Sequence, residues 1–275
     1  MTKRTDNDRK AAKLTAKTAD KHHLYQLSVQ SPEADIHLLA RIYRNARGRE
    51  ARHMREDFCG TALMLSHWVS QSPRHTGEGY DIDAPTLAWG EAHNFAPLGA
   101  DGKRAALHCR DARSPSDRAP DLRCAFNFSY WVFRQRREIL DYFRGVYKDL
   151  ARDGVLVLDI HGGPESVSED EYESDTGEGF TYVWHQRDFS PVTHEAKLAL
   201  HFRFPDGSQL RRAFRYRWRI WSIPEITDLL REAGFERIEC YWEGKDQDGI
   251  GDGVFRKTRL GKNESAWIAC LAALK

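Results

Sequence analysis

The chain has 275 residues, 40% of them hydrophobic, and a formal net charge of +1. That suffices for one sizeable α/β domain with an insertion, and the near-neutral balance speaks against a dedicated nucleic-acid binder. No apolar run approaches the ~18 residues that span a bilayer, and no apolar stretch opens the chain as a secretory signal would. Five scattered cysteines without a C-x-x-C pair predict reduced thiols, no metal site and a cytoplasmic protein.

Residues 3 to 21 carry seven Lys/Arg against three Asp, so residues 1–30 are expected to be a flexible basic segment. Residues 33 to 47 place Ile36, Leu39, Ala40 and Tyr43 at helical spacing, and Gly48 ends that helix. "HMREDF" predicts a short, unusually polar strand, followed by a helix from near Thr61 to Pro73. Next come a second strand "TGEGYDID", a helix "APTLAWGEAHNFA", a third strand "AALHCRDAR" and a fourth, "DLRCAFNFSYW". "RREILDYFRGVYKDLARDG" is a helix with a glycine stop, and "VLVLDI" reads as an apolar fifth strand. Strand and helix thus alternate over about 52 to 160. This predicts a doubly wound, Rossmann-like, mostly parallel sheet.

The rhythm changes after Gly162. Residues 165 to 178 hold seven Asp/Glu and read as a flexible acidic loop, a lid that could lie against a basic face. Three strands of period two follow. The third puts Leu210, Phe214, Tyr216, Trp218 and Ile220 on one side, broken once by Arg212. Its other side carries Arg211, Arg215, Arg217 and Arg219. This predicts an antiparallel insertion over 164–221, set within a domain formed by 31–163 and 222–275. "SIPEITDLLREAGF" is a helix with Ser222 as N-cap, then come strands "ERIECYW" and "SAWIACLAAL" around a glycine-rich loop at 244 to 253.

Ligands of doubly wound sheets bind at the carboxyl ends of the strands. Here those ends hold Glu56 to Thr61, Asp81 and Asp83, Asp111 and Ala112, Asn127 with Tyr130 and Trp131, and His161. They are rich in acids and poor in cations, and no G-x-G-x-x-G is present. The pattern fits a polar, cationic ligand better than a diphosphate, and argues against a dinucleotide oxidoreductase.

In order along the chain, "EDFCGTA", "GYDIDAPTL" and "CRDA" resemble the first three motifs of the class I S-adenosylmethionine-dependent methyltransferases. The match departs at Phe58 and Ala62, where those proteins usually have glycines. The resemblance implies S-adenosylmethionine as cofactor. It puts Glu56 near the methionine ammonium, Phe58 and Gly60 in the turn, Asp81 and Ile82 at the ribose, Asp111 and Ala112 at the adenine, and Asn127 beside the methyl. Tyr25 resembles an N-terminal tyrosine that closes over the methionine end, making residues 1–30 a cofactor lid. The insertion is similar to that of sugar and amino-acid N-methyltransferases. The expected activity is therefore methyl transfer to a small molecule, preferably an amine, with no nucleic acid or membrane as partner and a homodimer left open. His161, Tyr130 and Glu243 are the candidate catalytic groups, and Trp131, Tyr182, Trp184 and Arg217 the candidate substrate contacts. An RNA or protein methyltransferase using the arginine face is the rival reading.

Overall fold

In the computed structural model, residues 14–247, 249 and 251–275 are described; most of the basic stretch over 3 to 21 lies outside them. Strand β1 (His53–Asp57) is buried along its whole length although four of its five residues are polar. It lies between two parallel neighbours, β2 (Thr76–Asp81) and β4 (Leu122–Ala125). β3 (Ala105–Cys109) extends the sheet beyond β2, and β5 (Val155–Gly162) beyond β4, both parallel. On the β5 side the direction then reverses through β12 (Trp267–Leu274), β10 (Arg237–Lys245) and β11 (Gly251–Thr258). The order is β11-β10-β12-β5-β4-β1-β2-β3, so the chain reverses its winding between β1 and β4. A crevice opens at such a point because the two flanking connections leave in opposite directions.

Both faces of this sheet are covered. α2 (Pro32–Arg47) and α3 (Leu63–Ser70) bury Ile36, Leu39, Leu65 and Trp68 on one side. α5 (Arg136–Asp149) and α6 (Ile223–Ala233) bury Ile139, Phe143, Ile226 and Leu230 on the other. α4 (Ala84–Gly90) connects β2 to β3. A second sheet, in the order β6-β7-β8-β9, is built from β6 (Asp170–Asp175), β7 (Thr181–Arg187), β8 (Glu195–Arg203) and β9 (Gln209–Arg219). All its pairings are antiparallel. The break at Arg212 is a bulge: its φ is +52°, its N–H donates to His201 Nδ1 at 3.1 Å, and the β8–β9 register shifts there.

Four expectations need correction. Residues 165 to 178 are not a flexible loop, because 170–175 form edge strand β6. Glu171 pairs with His185 and Arg203, and Glu173 also with Arg203, so cross-strand ion pairs hold the acids in place. The glycine-rich stretch is largely a hairpin, since 251–258 pair with β10. The fourth strand stops at Ala125, because Asn127 and Phe128 both take positive φ (+56°) and turn the chain. Finally, residues 21–29 are a helix, α1 (Lys21–Val29), capped by Asp20 and seated through the buried Leu24 on Phe202 and Phe204 of the second sheet.

The polarity of β1 has a structural cause. Arg55 and Arg123 are buried completely or nearly so, at 0% and 1% exposure, and both donate to Asp57, each at 2.7 Å. Tyr142 donates to the same carboxylate at 2.7 Å, and Arg123 reaches Asp149. The second arms of both arginines converge on the carbonyl oxygen of Ala112, again at 2.7 Å each. This knot ties β1, β4, α5 and the β3–β4 loop into one unit. Removing one member leaves charge buried without its partner, which costs about 3–5 kcal/mol. Asp57→Asn is therefore expected to lower unfolding free energy in urea by about that amount. Arg217→Ala, which removes an exposed arginine from its pair with Glu195, should cost less than about 1 kcal/mol in the same assay.

Candidate functional site

The loop after β1 keeps a glycine-like backbone with one glycine. Phe58, Gly60 and Ala62 have φ of +55°, +54° and +52°. At Gly60 the left-handed turn is free of strain. At Phe58 the ring offsets the cost by packing on Phe133 and Tyr142, with centroids 5.7 and 6.1 Å away. Ala62 is fully buried at the N-terminus of α3. Asp81 buttresses the turn: its carboxylate accepts from Gly60 N–H at 2.8 Å and from Asp83 N–H at 2.9 Å. Each oxygen keeps a lone pair for a further donor.

A cavity of about 390 Å³ lies over this loop. Glu56, Phe58, Gly60, Asp81, Ile82, Asp111 and Ala112 border it. Asp111 is held in a fork by Arg113, at 2.9 and 2.7 Å, which keeps its carboxyl below the usual range. Tyr25 and Asn127 border this cavity and also a larger one of about 640 Å³ between β5, the β10–β11 hairpin and the second sheet. Helix α1 covers the junction. Gln26 donates to Thr61 Oγ1 at 2.8 Å, Asp20 accepts from Trp89 Nε1 at 2.9 Å, and the Tyr25 ring lies 4.9 Å from Phe214.

The larger cavity has aromatic walls from Tyr182, Trp184, Tyr216, Trp218 and Trp267. His161 also lines it, packed among Phe128 and Trp131 at 4.4 and 4.7 Å. Burial pushes its pKa down to about 4, so it is neutral, and its Nε2 has no partner. Glu243 borders the cavity and accepts from Gly253 N–H at 3.2 Å; burial raises its pKa.

Three expected site residues are elsewhere. Tyr130 is buried at 0% exposure and its hydroxyl donates to the Asp159 carbonyl oxygen at 2.9 Å, so it is a structural group and not a catalytic one. Trp131 lies in the core behind His161 and borders neither cavity. Arg217 alternates away from Tyr216 and Trp218 along β9 and pairs with Glu195 on the outer face, so it does not reach the cavity either.

Two acids went unnoticed in the sequence. Asp159, in the strand read as apolar, borders the larger cavity, and Asp35 on α2 borders both. Burial raises Asp159 to about 8, Asp35 to about 6 and Glu56 to about 8. The amides of Asn127 and Phe128 donate to Asp159 at 2.6 and 2.9 Å, and that of Leu65 to Glu56 at 3.0 Å, which offsets only part of the desolvation. Among the described residues, no Lys or Arg forms an ion pair with any of the three. A lone acid just before the carboxyl end of an apolar strand was the signal for Asp159.

The fold is that of the class I methyltransferases. A S-adenosylmethionine-dependent methyltransferase from Clostridium acetobutylicum ATCC 824 superposes with a TM-score of 0.64 at 14% identity, over 91% of this chain and 96% of that one. The sugar N-methyltransferase KedS8 from Streptoalloteichus sp ATCC 53650 gives 0.62 at 18% identity, over 100% and 99%. The S-adenosylmethionine-bound amino pentose methyltransferase CalS10 from Micromonospora echinaspora gives 0.61 at 17%, over 90% and 95%. By sequence, a curated Geobacillus sp. (strain WCH70) protein to which methyltransferase activity is ascribed is 26% identical over 116 residues, 41% of this chain. The match spans about half, 47%, of that relative's length. No family model matches the chain. Among the described residues, no helix is long and apolar enough to cross a membrane.

Two outcomes follow from this geometry. Ala62→Gly removes a left-handed alanine but adds freedom to the unfolded chain, so stability should change by less than about 1 kcal/mol. Ala62→Val, a branched side chain at φ +52° in a buried place, should lose about 2 kcal/mol or more. Chemical denaturation of both variants checks the pair. For pH, Glu56, Asp35 and Asp159 are raised on folding, so their protonated forms favour the native state below ordinary carboxylate values. That stability is lost as pH climbs through about 6 to 8. The melting temperature of the ligand-free protein should fall between pH 5 and 8, and the triple change to Asn or Gln should flatten the trend.

Proposed function

We propose that the protein is a cytoplasmic methyltransferase that uses S-adenosylmethionine to methylate a small molecule, with an amine nitrogen as acceptor. The observation that carries this reading is the buried, unpaired carboxyl of Glu56 beside the Gly60 turn. Ionising it without a cation is unfavourable, and an ammonium placed there supplies one. The other residues fit the rest of the cofactor. Asp81 has free lone pairs for two hydroxyls, and the Ala112 amide stands at the β3–β4 loop whose carbonyl is fixed by Arg55 and Arg123. Bound S-adenosylmethionine supplies an electrophilic methyl on a sulfonium. A neutral amine needs little beyond placement in line with that methyl, and two cavities meeting at Tyr25 and Asn127 provide such placement. That KedS8 is named a sugar N-methyltransferase and CalS10 an amino pentose methyltransferase agrees with an amine acceptor.

The small-molecule reading is favoured over RNA or protein because the outer basic face is partly neutralised, while the cavities are internal and enclosed by side chains of both sheets. Arg203, Arg217 and Arg219 pair with Glu171, Glu195 and Glu225. That reduces the positive charge able to meet a phosphate backbone, although Arg211 and Arg215 have no acid partner among the described residues.

Calorimetry with S-adenosylhomocysteine tests the cofactor. Wild type should bind, and Asp81→Ala should weaken binding by about 2–3 kcal/mol through the loss of charge-assisted hydrogen bonds. A folded variant of unchanged affinity would remove Asp81 from the site. A wild type that binds neither this compound nor S-adenosylmethionine would refute the function. Incubation with S-adenosylmethionine and a metabolite extract, followed by mass spectrometry, should reveal a 14-dalton gain that identifies the acceptor.

A further inference from the structure

His161, Glu243 and Asp159 face the larger cavity with chemistry that could serve an acceptor, beside Asp35, Glu165 and Glu264. His161 is held neutral and weakly basic by its aromatic surroundings. Glu243 sits out on the hairpin, its carboxylate turned to the Gly253 amide. Asp159 is placed differently. It stands on β5 just beyond the part that pairs with β4, and one of its oxygens is 2.6 Å from the amide of Asn127, a residue that borders both cavities. The carboxylate therefore flanks the place where the two cavities join.

Resting on the methyltransferase reading above, we propose that Asp159 binds the acceptor's ammonium group in the larger cavity and takes its proton. The left-handed turn at Asn127 and Phe128 fixes both carboxylate oxygens through consecutive amides and leaves their remaining lone pairs for a ligand. Trp184, Tyr216 and Trp218 line the same cavity, and aromatic walls suit a cation or its alkyl neighbours.

The step balances as follows. The ammonium gives one proton to Asp159, leaving a neutral amine and a carboxylic acid. The nitrogen lone pair attacks the methyl carbon, a N–C bond forms, the C–S bond breaks, and its electron pair returns to sulfur to give a thioether. The product is a methylated ammonium that leaves Asp159 protonated as in the empty site, so the one proton released to water per turnover is the one Asp159 gives up when the ammonium binds. An acid whose pKa is raised to about 8 exchanges a proton near neutrality, as a general base should. The titratable groups that feel Asp159 are Asp35 on α2, Tyr25 on α1, Cys124 on β4, Tyr130 in the turn and Cys270 on β12. None of them is a cation that could hold Asp159 ionised in the absence of ligand.

The test uses benzylammonium as a probe on the full chain saturated with S-adenosylhomocysteine, so that Glu56 is already engaged. Titration calorimetry at pH 7 in buffers of different ionisation enthalpy reads both affinity and protons released. Wild type should bind benzylammonium, should bind the neutral isostere benzyl alcohol at least tenfold more weakly, and should release close to one proton per site. Asp159→Asn should lose the preference and the proton release while S-adenosylhomocysteine affinity stays within twofold. Unchanged proton release in that variant would overturn the assignment, as would equal affinity for the cation and the alcohol. Should the variant not fold, wild type alone decides: proton release must fade with a midpoint near pH 8, and release independent of pH overturns the proposal. Failure to bind S-adenosylhomocysteine at all would refute the methyltransferase reading instead.

Discussion

Two adjacent acids in β1 divide the work of the molecule. Successive side chains of a strand point to opposite faces, so Glu56 and Asp57 cannot share an environment. Asp57 turns to the side of α5, where Arg55, Arg123 and Tyr142 satisfy it completely within the protein. Glu56 turns toward α3 and receives one amide hydrogen bond and no cation. One acid is neutralised by folding and the other is left without a cation among the described residues. The first makes the second affordable. Because the knot around Asp57 also grips the Ala112 carbonyl, the same interaction that stabilises the sheet fixes the loop bordering the opposite end of the smaller cavity.

The imbalance extends past Glu56. Buried Asp159 and half-buried Asp35 add two more carboxyls around the junction of the cavities, all with raised pKa values and, among the described residues, none in an ion pair. Desolvation dominates each shift, and mutual repulsion adds to it. A site of this kind favours cationic ligands on both sides of the junction. Its free state also stores unfavourable electrostatics that binding relieves, so affinity and protonation are linked there.

The alternation of strand and helix was legible because buried parallel strands and amphipathic helices have different periods, and glycine stops punctuate them. The positions of Asp81 and Asp111 were legible because a polar residue after an apolar run marks a strand end. What escaped depended on the third dimension. The acids of 170–175 looked like a loop by composition, since the histidine and arginine that pair with them lie 14 to 32 residues away. Tyr130 and Trp131 looked like site residues because they follow a strand, but two left-handed residues rotate them into the core. Arg217 could have been excluded from sequence: with Tyr216 and Trp218 on the inner face, period two sends it outward. Asp159 was hidden by its apolar neighbours, although a solitary acid in such a strand is costly enough to need a reason.

The second sheet explains why two cavities meet instead of one standing open to solvent. Its inner face carries Tyr182, Trp184, Tyr216 and Trp218, and these rings form the wall opposite β5. The end of its inner strand β8 clusters with Leu24 of α1 through Phe202 and the following Phe204, and α1 in turn reaches the Gly60 turn through Gln26 and Thr61. The insertion therefore acts on the smaller cavity through α1 while lining the larger one directly. A ligand that displaces Tyr25 or Tyr216 changes both spaces at once, because both residues border both cavities. Coupling between occupancy of the two cavities is thus built into a contact between one helix and one sheet, and no movement of the main sheet is required for it.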